Sequence, residues 1–237
     1  MYLSDLHTHS IASGHGTSST ISDMAKSASQ AGLKLLGITD HGPATLAAGT
    51  PSYFRSLAYS PRKRFGIELL YGIELNILNT EGTVDLEQGL LDKLDYGIAS
   101  MHCQNFRPLS REENTCAFLN VMKNPSVKIL GHIDNPQYPA DYKAIVRAAK
   151  ENGVILEINE VSLAPYGYRG DARANCAEIL HWCRRYELPV ILSSDSHGTG
   201  HIGDFAYGAE FVHQLLFPES LILNNQLPRL KVFLQTR

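Results

Sequence analysis

Short apolar runs rich in Ile, Leu and Val alternate along the chain with longer stretches whose apolar positions recur at helical spacing, the rhythm of repeated βα units. The predicted strands are 1–7 (MYLSDLH), 35–41 (LLGITDH), 69–75 (LLYGIEL), 96–102 (YGIASMH), 128–134 (KILGHID), 154–160 (VILEINE) and 190–197 (VILSSDSH). Helices are expected over 20–34, 141–153 and 172–187, the first N-capped by Thr20 or Ser22 and the second ended by Gly153. Strands this uniformly apolar are buried on both faces, as in a parallel sheet wrapped by helices. The expected fold class is α/β, a barrel or distorted barrel, and residues 1–237 are read as one domain because nothing in that length forces a second.

The polar residues on those strands change the picture. His7, His41, Glu74, His102, His132, Asp195 and His197 fall at or near the C-terminal ends of predicted strands. In a parallel barrel those ends form one face, where active sites lie. His9 completes an HxH pair with His7, with both imidazoles on one side of an extended strand, and His15 follows in SDLHTHSIASGH. A single HxH is weak evidence; the joint placement carries the reading, because unpaired polar groups at buried strand ends are costly.

Nitrogen and oxygen donors, with Cys103 the one cysteine near a predicted strand end, suit zinc, manganese or iron, in a catalytic rather than a structural site. Nine candidates exceed what one ion takes, so two or three divalent ions are expected, with Glu74 or Asp195 able to bridge neighbours. Three ions held by two carboxylates and seven neutral histidines would carry about +4 and attract an anion. Water bound there loses a proton near neutral pH, and phosphate ester hydrolysis is the chemistry such a site best suits.

Among nearby residues, Arg169 and Arg173 in YGYRGDARANC fall on the same face. Arg169 is favoured as a two-point phosphate clamp because Arg173 belongs to the following helix. Asp40 and Asp134, close to His41 and His132, are candidates for orienting ligands or for plain turn positions. His181 and His213 read as helix-surface or packing residues, His201 equally as a residue near substrate or a plain loop residue, and SPRKRF (60–65) as the solvated end of a helix.

A net charge of −3 and a pI near 6.4 argue against nucleic acid as a partner and fit a small phosphorylated substrate. No run approaches the roughly 18 apolar residues of a membrane span, and Asp5 and His7 interrupt the first apolar run too early for a signal peptide. A cytoplasmic protein with no membrane partner is expected. Its four cysteines form no CxxC pair and read as reduced thiols, with Cys176 and Cys183 in the core. The oligomeric state has no signature in the sequence.

Taken in order, DLHTHS with His15, GITDHGP, GIELNI, ASMH, LGHIDNPQY, LEINE and LSSDSH resemble the PHP (polymerase and histidinol phosphatase) superfamily essentially end to end. The resemblance is strongest to its small stand-alone YcdX-type phosphatases. It implies a distorted (βα)7 TIM-like barrel and a phosphatase with a trinuclear metal centre, commonly zinc. By resemblance, His7, His9, Glu74 and Asp195 hold one ion, Glu74 bridges to a second held by His102 and His132, and His15, His41 and His197 hold a third. The expected reaction has hydroxide attack phosphorus in line, Arg169 stabilise the equatorial oxygens, and Asp40 or a bound water assist the leaving group.

Three rivals remain at this stage. An amidohydrolase would use His7, His9, His102, His132 and Asp195 but leaves His15, His41 and His197 without a task. A phosphodiesterase or nuclease fits less well with the acidic pI and the absence of an appended domain. A binding module without turnover predicts metal but no phosphate release.

Overall fold

The structure is a computed structural model that describes residues 2–235. Met1 of the predicted first strand, and 236–237 at the end of the expected domain, lie outside the described residues. The strands are β1 (Ser4–Asp5), β2 (Thr8–His9), β3 (Leu35–Ile38), β4 (Lys63–Arg64), β5 (Ile67–Tyr71), β6 (Ile73–Asn76), β7 (Gly97–Ser100), β8 (Val127–Leu130), β9 (Ile155–Asn159), β10 (Val190–Ser193) and β11 (Ser196–His197). The helices are α1 (Ile21–Gln30), α2 (Pro51–Leu57), α3 (Gln88–Leu91), α4 (Arg111–Val121), α5 (Tyr142–Asn152), α6 (Glu160–Leu163), α7 (Arg173–Tyr186), α8 (Ala206–Gln214) and α9 (Leu227–Gln235).

Two parallel arcs make the barrel wall. One runs β1-β3-β5, with β4 antiparallel on its edge, and the other runs β6-β7-β8-β9-β10. The predicted strand 69–75 supplies both arcs by breaking at Gly72, whose N–H donates to Ile38 O. A Cβ at Gly72 would stand 2.7 Å from the Tyr96 carbonyl oxygen, so the crossing requires glycine. Beyond the break, Glu74 bridges to His41, which carries the pairing on toward the strand ends.

The predicted last strand breaks as well, into β10 and β11, while among the described residues only β1 forms within the predicted first strand; β2, just past the end of that prediction, pairs with β11. Below that pair, among the described residues, no backbone ladder joins β1 to β10. The buried Asn224 amide fills the seam: Leu192 N–H donates to its Oδ1 at 2.9 Å, and its Nδ2 donates to Ser4 O at 2.9 Å and Leu192 O at 2.8 Å. A side chain thus satisfies groups that a ladder would otherwise pair, and this is where the barrel departs from a regular one.

Inside the barrel, Leu6, Leu35, Tyr96, Ile98, Ile129, Ile155 and Ile191 meet Leu230 and Leu234 of α9, which closes the end opposite the functional face. A larger apolar layer between strands and helices includes Met24, Phe118, Ile145, Val146, Ile179 and the fully buried Cys176 and Cys183. Each such aliphatic side chain contributes roughly 1.5–3 kcal/mol by leaving water. α1 begins with a reciprocal cap, Thr20 accepting from Asp23 N–H while the Asp23 carboxylate accepts from Thr20 N–H. Asp141 caps α5, and Gly153 ends it at φ 65, the left-handed position expected of it.

The segment 60–65 is not a helix end. Lys63 and Arg64 form β4 on the barrel edge, Arg62 pairs with Asp95, and Arg64 donates to Ser22 Oγ at 2.7 Å. The segment is largely solvated, as its charge suggests, but it pairs with β5 as an edge strand. Among the described residues, no helix is long and apolar enough to cross a membrane.

Candidate metal centre

At the C-terminal ends of the strands, Glu74 enters from β6 and meets histidines from four directions. Its Oε1 lies 2.9 Å from His132 Nε2, 3.3 Å from His102 Nε2 and 3.4 Å from His7 Nε2. Its Oε2 lies 2.6 Å from His41 Nδ1 and 3.6 Å from His9 Nε2. Asp195 Oδ1 stands 3.2 Å from His9 Nε2 and 3.7 Å from His7 Nε2. His15 completes the group, its ring 4.9 Å from that of His41 and 5.1 Å from that of His197.

All nine residues singled out in the sequence therefore converge. Seven of them supply the potential ligand atoms of three close triads, His7–His9–Asp195, His9–His41–His197 and His41–Glu74–His102, each within 4.8 Å, while His15 and His132 stand beside these groups. The first lies within one expected ion site. The other two overlap the remaining expected sites, with His9 and His41 standing between groups.

Whether this set suits metal is answered by its unpaired atoms. His7 Nε2, His9 Nε2 and His197 Nε2 are buried without a hydrogen-bond partner among the described residues, and His41 Nδ1 and Glu74 Oε2, buried 2.6 Å apart, face each other without hydrogen-bond geometry. Such atoms cost on the order of 1–3 kcal/mol each unless something binds them. The opposite ring nitrogens are tied down: His7 Nδ1 to Glu157 Oε1 at 2.6 Å, His9 Nδ1 to Ser13 Oγ at 2.9 Å, and His102 Nδ1 to Asn76 Oδ1 at 2.8 Å. A ring that donates outward through one nitrogen presents the lone pair of the other inward, as a metal ligand must. The donor set fits divalent ions.

The electrostatics agree. Burial, reinforced by His197 and His41, pushes His9 well below the usual imidazole value, and burial takes His132 down to about 4. Burial alone would raise Glu74, but His102, His7 and His41 hold it well below the usual carboxylate range. Burial opposes charge on His7 too, yet Glu157, Glu74 and Asp195 together raise it well above its ordinary value.

Backbone strain marks the same place. His132 has φ 30 and Asp195 φ 53, left-handed values that cost non-glycine residues about 1–3 kcal/mol. His132 N–H is held in that turn by Glu157 Oε2 at 2.7 Å.

Arg169 lies on the cavity wall and is buried, its Nη2 donating to Asp195 Oδ2 at 2.6 Å and its Nη1 to Asn159 Oδ1 at 3.1 Å. Arg173 starts α7 and donates to Leu163 O, off that wall. Asp40 is also off the wall. Its carboxylate accepts from Ser10 N–H, Ser10 Oγ, Ser13 Oγ and Tyr53 Oη, so it supports His9 through Ser13. Asp134 is buried and accepts from Ser162 Oγ at 2.9 Å. His181 and His213 are exposed on α7 and α8, and His201 stacks on Tyr166 at 5.2 Å. The cavity above the ligands measures about 440 Å³.

Glu157, Ser13, Asn76 and Asn159 hold the ligands and were not singled out in the sequence. The usable signal for Glu157 was a carboxylate inside a strand buried along its whole length.

A model of the PHP domain matches residues 5–161. The chain belongs to the PHP domain family. Full-length relatives agree: a protein of Clostridium botulinum (strain Hall) named "Probable phosphatase" is 39% identical over 236 residues, 100% of this chain and 96% of the relative. Another so named, from Clostridium acetobutylicum, is 40% identical over the same shares. Among solved structures, this PHP chain resembles histidinol phosphate phosphatase of Lactococcus lactis, solved with zinc, L-histidinol and phosphate (TM-score 0.62, 17% identity, 92% of this chain and 95% of that one). It also resembles a chain of archaeal ribonuclease P solved with mature tRNA (TM-score 0.58, 14% identity, 96% and 89%). These two likenesses carry the fold, the distorted TIM-like barrel, and leave the chemistry to the site.

Proposed function

We propose that this PHP protein hydrolyses phosphate monoesters with a nucleophilic hydroxide at a trinuclear divalent metal centre, zinc before manganese or iron. It is a phosphatase of the PHP family, and the finer claims concern the ions, the ester and the residues. The observation that carries the proposal is the convergence of buried, unpaired imidazole and carboxylate atoms beside a fixed guanidinium.

His7, His9, Glu74 and Asp195 would hold one ion, Glu74 with His102 and His132 a second, and His15, His41 and His197 a third. Bound divalent ions supply Lewis acidity and bring the pKa of water toward neutrality. The chain's own groups do the positioning. Glu157 accepts from His7 Nδ1–H, Ser13 from His9 Nδ1–H and Asn76 from His102 Nδ1–H, which orients each ring with its Nε2 toward the centre. Arg169, held by Asp195 and Asn159, offers its guanidinium to the phosphoryl oxygens at the cavity edge. Asp40 acts as a positioning residue through Ser13.

A small, walled cavity and a net charge of −3 favour a compact monoester over nucleic acid. Four free cysteines suit a reducing, cytoplasmic setting. The test compares phosphate release from p-nitrophenyl phosphate with hydrolysis of bis(p-nitrophenyl) phosphate. The proposal expects kcat/KM at least about tenfold higher for the monoester, a gap of about 1.4 kcal/mol; equal or better hydrolysis of the diester overturns it.

A further inference from the structure

The cavity wall beyond the ligands has a chemical character of its own. Leu46, Met101, Gln104, Asn135, Gln137 and Tyr168 line it, and none of them carries a charge at neutral pH. Among the described residues the one carboxylate on the wall, Asp195, is already engaged: Oδ2 accepts from Arg169 at 2.6 Å and from Asn159 at 3.2 Å, and Oδ1 faces His9. Arg169 is the fixed cation there, and any divalent ions add to the same sign. An ammonium group entering this space would meet like charge and find no free carboxylate.

What the wall does offer is carboxamides and apolar surface. The Gln137 side chain has no hydrogen-bond partner among the described residues, and that of Gln104 meets only the Cys103 thiol at 3.6 Å. Carboxamides both donate and accept, which matches hydroxyl groups in either role. Leu46 is 90% exposed and Tyr168 74% exposed, with the Arg169 guanidinium 4.9 Å from the Tyr168 ring centroid. An aromatic ring and an aliphatic side chain at the mouth suit the C–H face of a compact polyhydroxylated molecule.

We infer that the leaving-group side of this cavity selects phosphate esters of neutral, hydroxyl-bearing alcohols, such as sugars and polyols, and rejects those bearing an ammonium group. Gln104 and Gln137 are its specificity-determining residues. The inference rests on the phosphatase reading above.

Matched esters differing only in a hydroxyl or an ammonium test it: the phosphates of ethylene glycol and ethanolamine, and glucose 6-phosphate with glucosamine 6-phosphate, at a pH where the amines are protonated. The hydroxyl partner of each pair is expected to show kcat/KM at least about tenfold higher, about 1.4 kcal/mol. In Gln137→Glu the ratio should move toward the ammonium ester by about threefold or more, since a carboxylate now faces the cation. The ratio within one preparation is independent of how much of the variant is folded. Equal rates within both pairs, or a preference for the ammonium esters, overturn the inference while p-nitrophenyl phosphate turnover keeps the phosphatase reading intact. No phosphate release from any ester, p-nitrophenyl phosphate included, overturns both.

Discussion

His7 and Glu157, 150 positions apart in the chain, meet at 2.6 Å between Nδ1 and Oε1 with both side chains fully buried. An ionised carboxylate can only accept, so His7 Nδ1 donates to it and Nε2 faces the other candidate ligands. Glu157 also accepts from His132 N–H and Asn159 Nδ2, linking two ligands and the residue that supports Arg169.

Glu157→Gln keeps the shape and removes the charge. Metal affinity, measured by competition with a chelator, is expected to fall about 10- to 100-fold, the usual effect of losing a partner behind a ligand. Unchanged affinity would reduce Glu157 to a buried polar residue with no part in the site.

Arg169→Ala should raise KM for phosphate monoesters about tenfold or more while metal content per chain stays the same. A KM equal to the wild-type value would move the phosphate clamp to another residue.

Asp40→Asn separates support from proton transfer. Its amide would turn a donor toward Ser10, Ser13 or Tyr53, costing about 1–3 kcal/mol, so the thermal midpoint falls. The shape of the pH–rate profile is expected to stay as in the wild type. Loss of its alkaline limb would instead make Asp40 the acid that assists the leaving group.

Burial raises the Asp134 carboxyl from its ordinary 3.8 to about 7. A raised carboxyl binds its proton more tightly folded than unfolded, so its stabilisation is complete below about pH 4 and is lost as pH rises through 7. Metal-free wild type should therefore lose stability between about pH 4 and 7 by at most about 1.4 kcal/mol per unit more than Asp134→Asn, with the difference levelling off above 7. Parallel denaturant-unfolding profiles across that range would contradict this.

The convergence of the candidate ligands was legible because parallel strands bring their C-terminal ends to one face whatever the exact pairing. Each of His7, His41, Glu74, His102, His132 and Asp195 needed only local pattern and that rule. The groups behind them were not legible in the same way. Glu157 reads as one polar position in an apolar run, and its meaning comes from a contact 150 residues away. Asn224 at the barrel seam depends on where β1 and β10 fail to pair, which no local pattern encodes. The break at Gly72 likewise follows from the Tyr96 carbonyl packed against it. The edge strand at 63–64 was hidden because its charges resemble any solvated surface.

The central claim is that the converging ligands exist to bind metal and that hydrolysis depends on it. Metal-free protein reconstituted stepwise with zinc, with bound metal and phosphate release from p-nitrophenyl phosphate measured on the same samples, tests this most directly. The account predicts binding that saturates at about three ions per chain, with activity absent in the metal-free protein and restored as the sites fill. Full activity in the metal-free protein, or zinc that binds without restoring phosphate release, would contradict it.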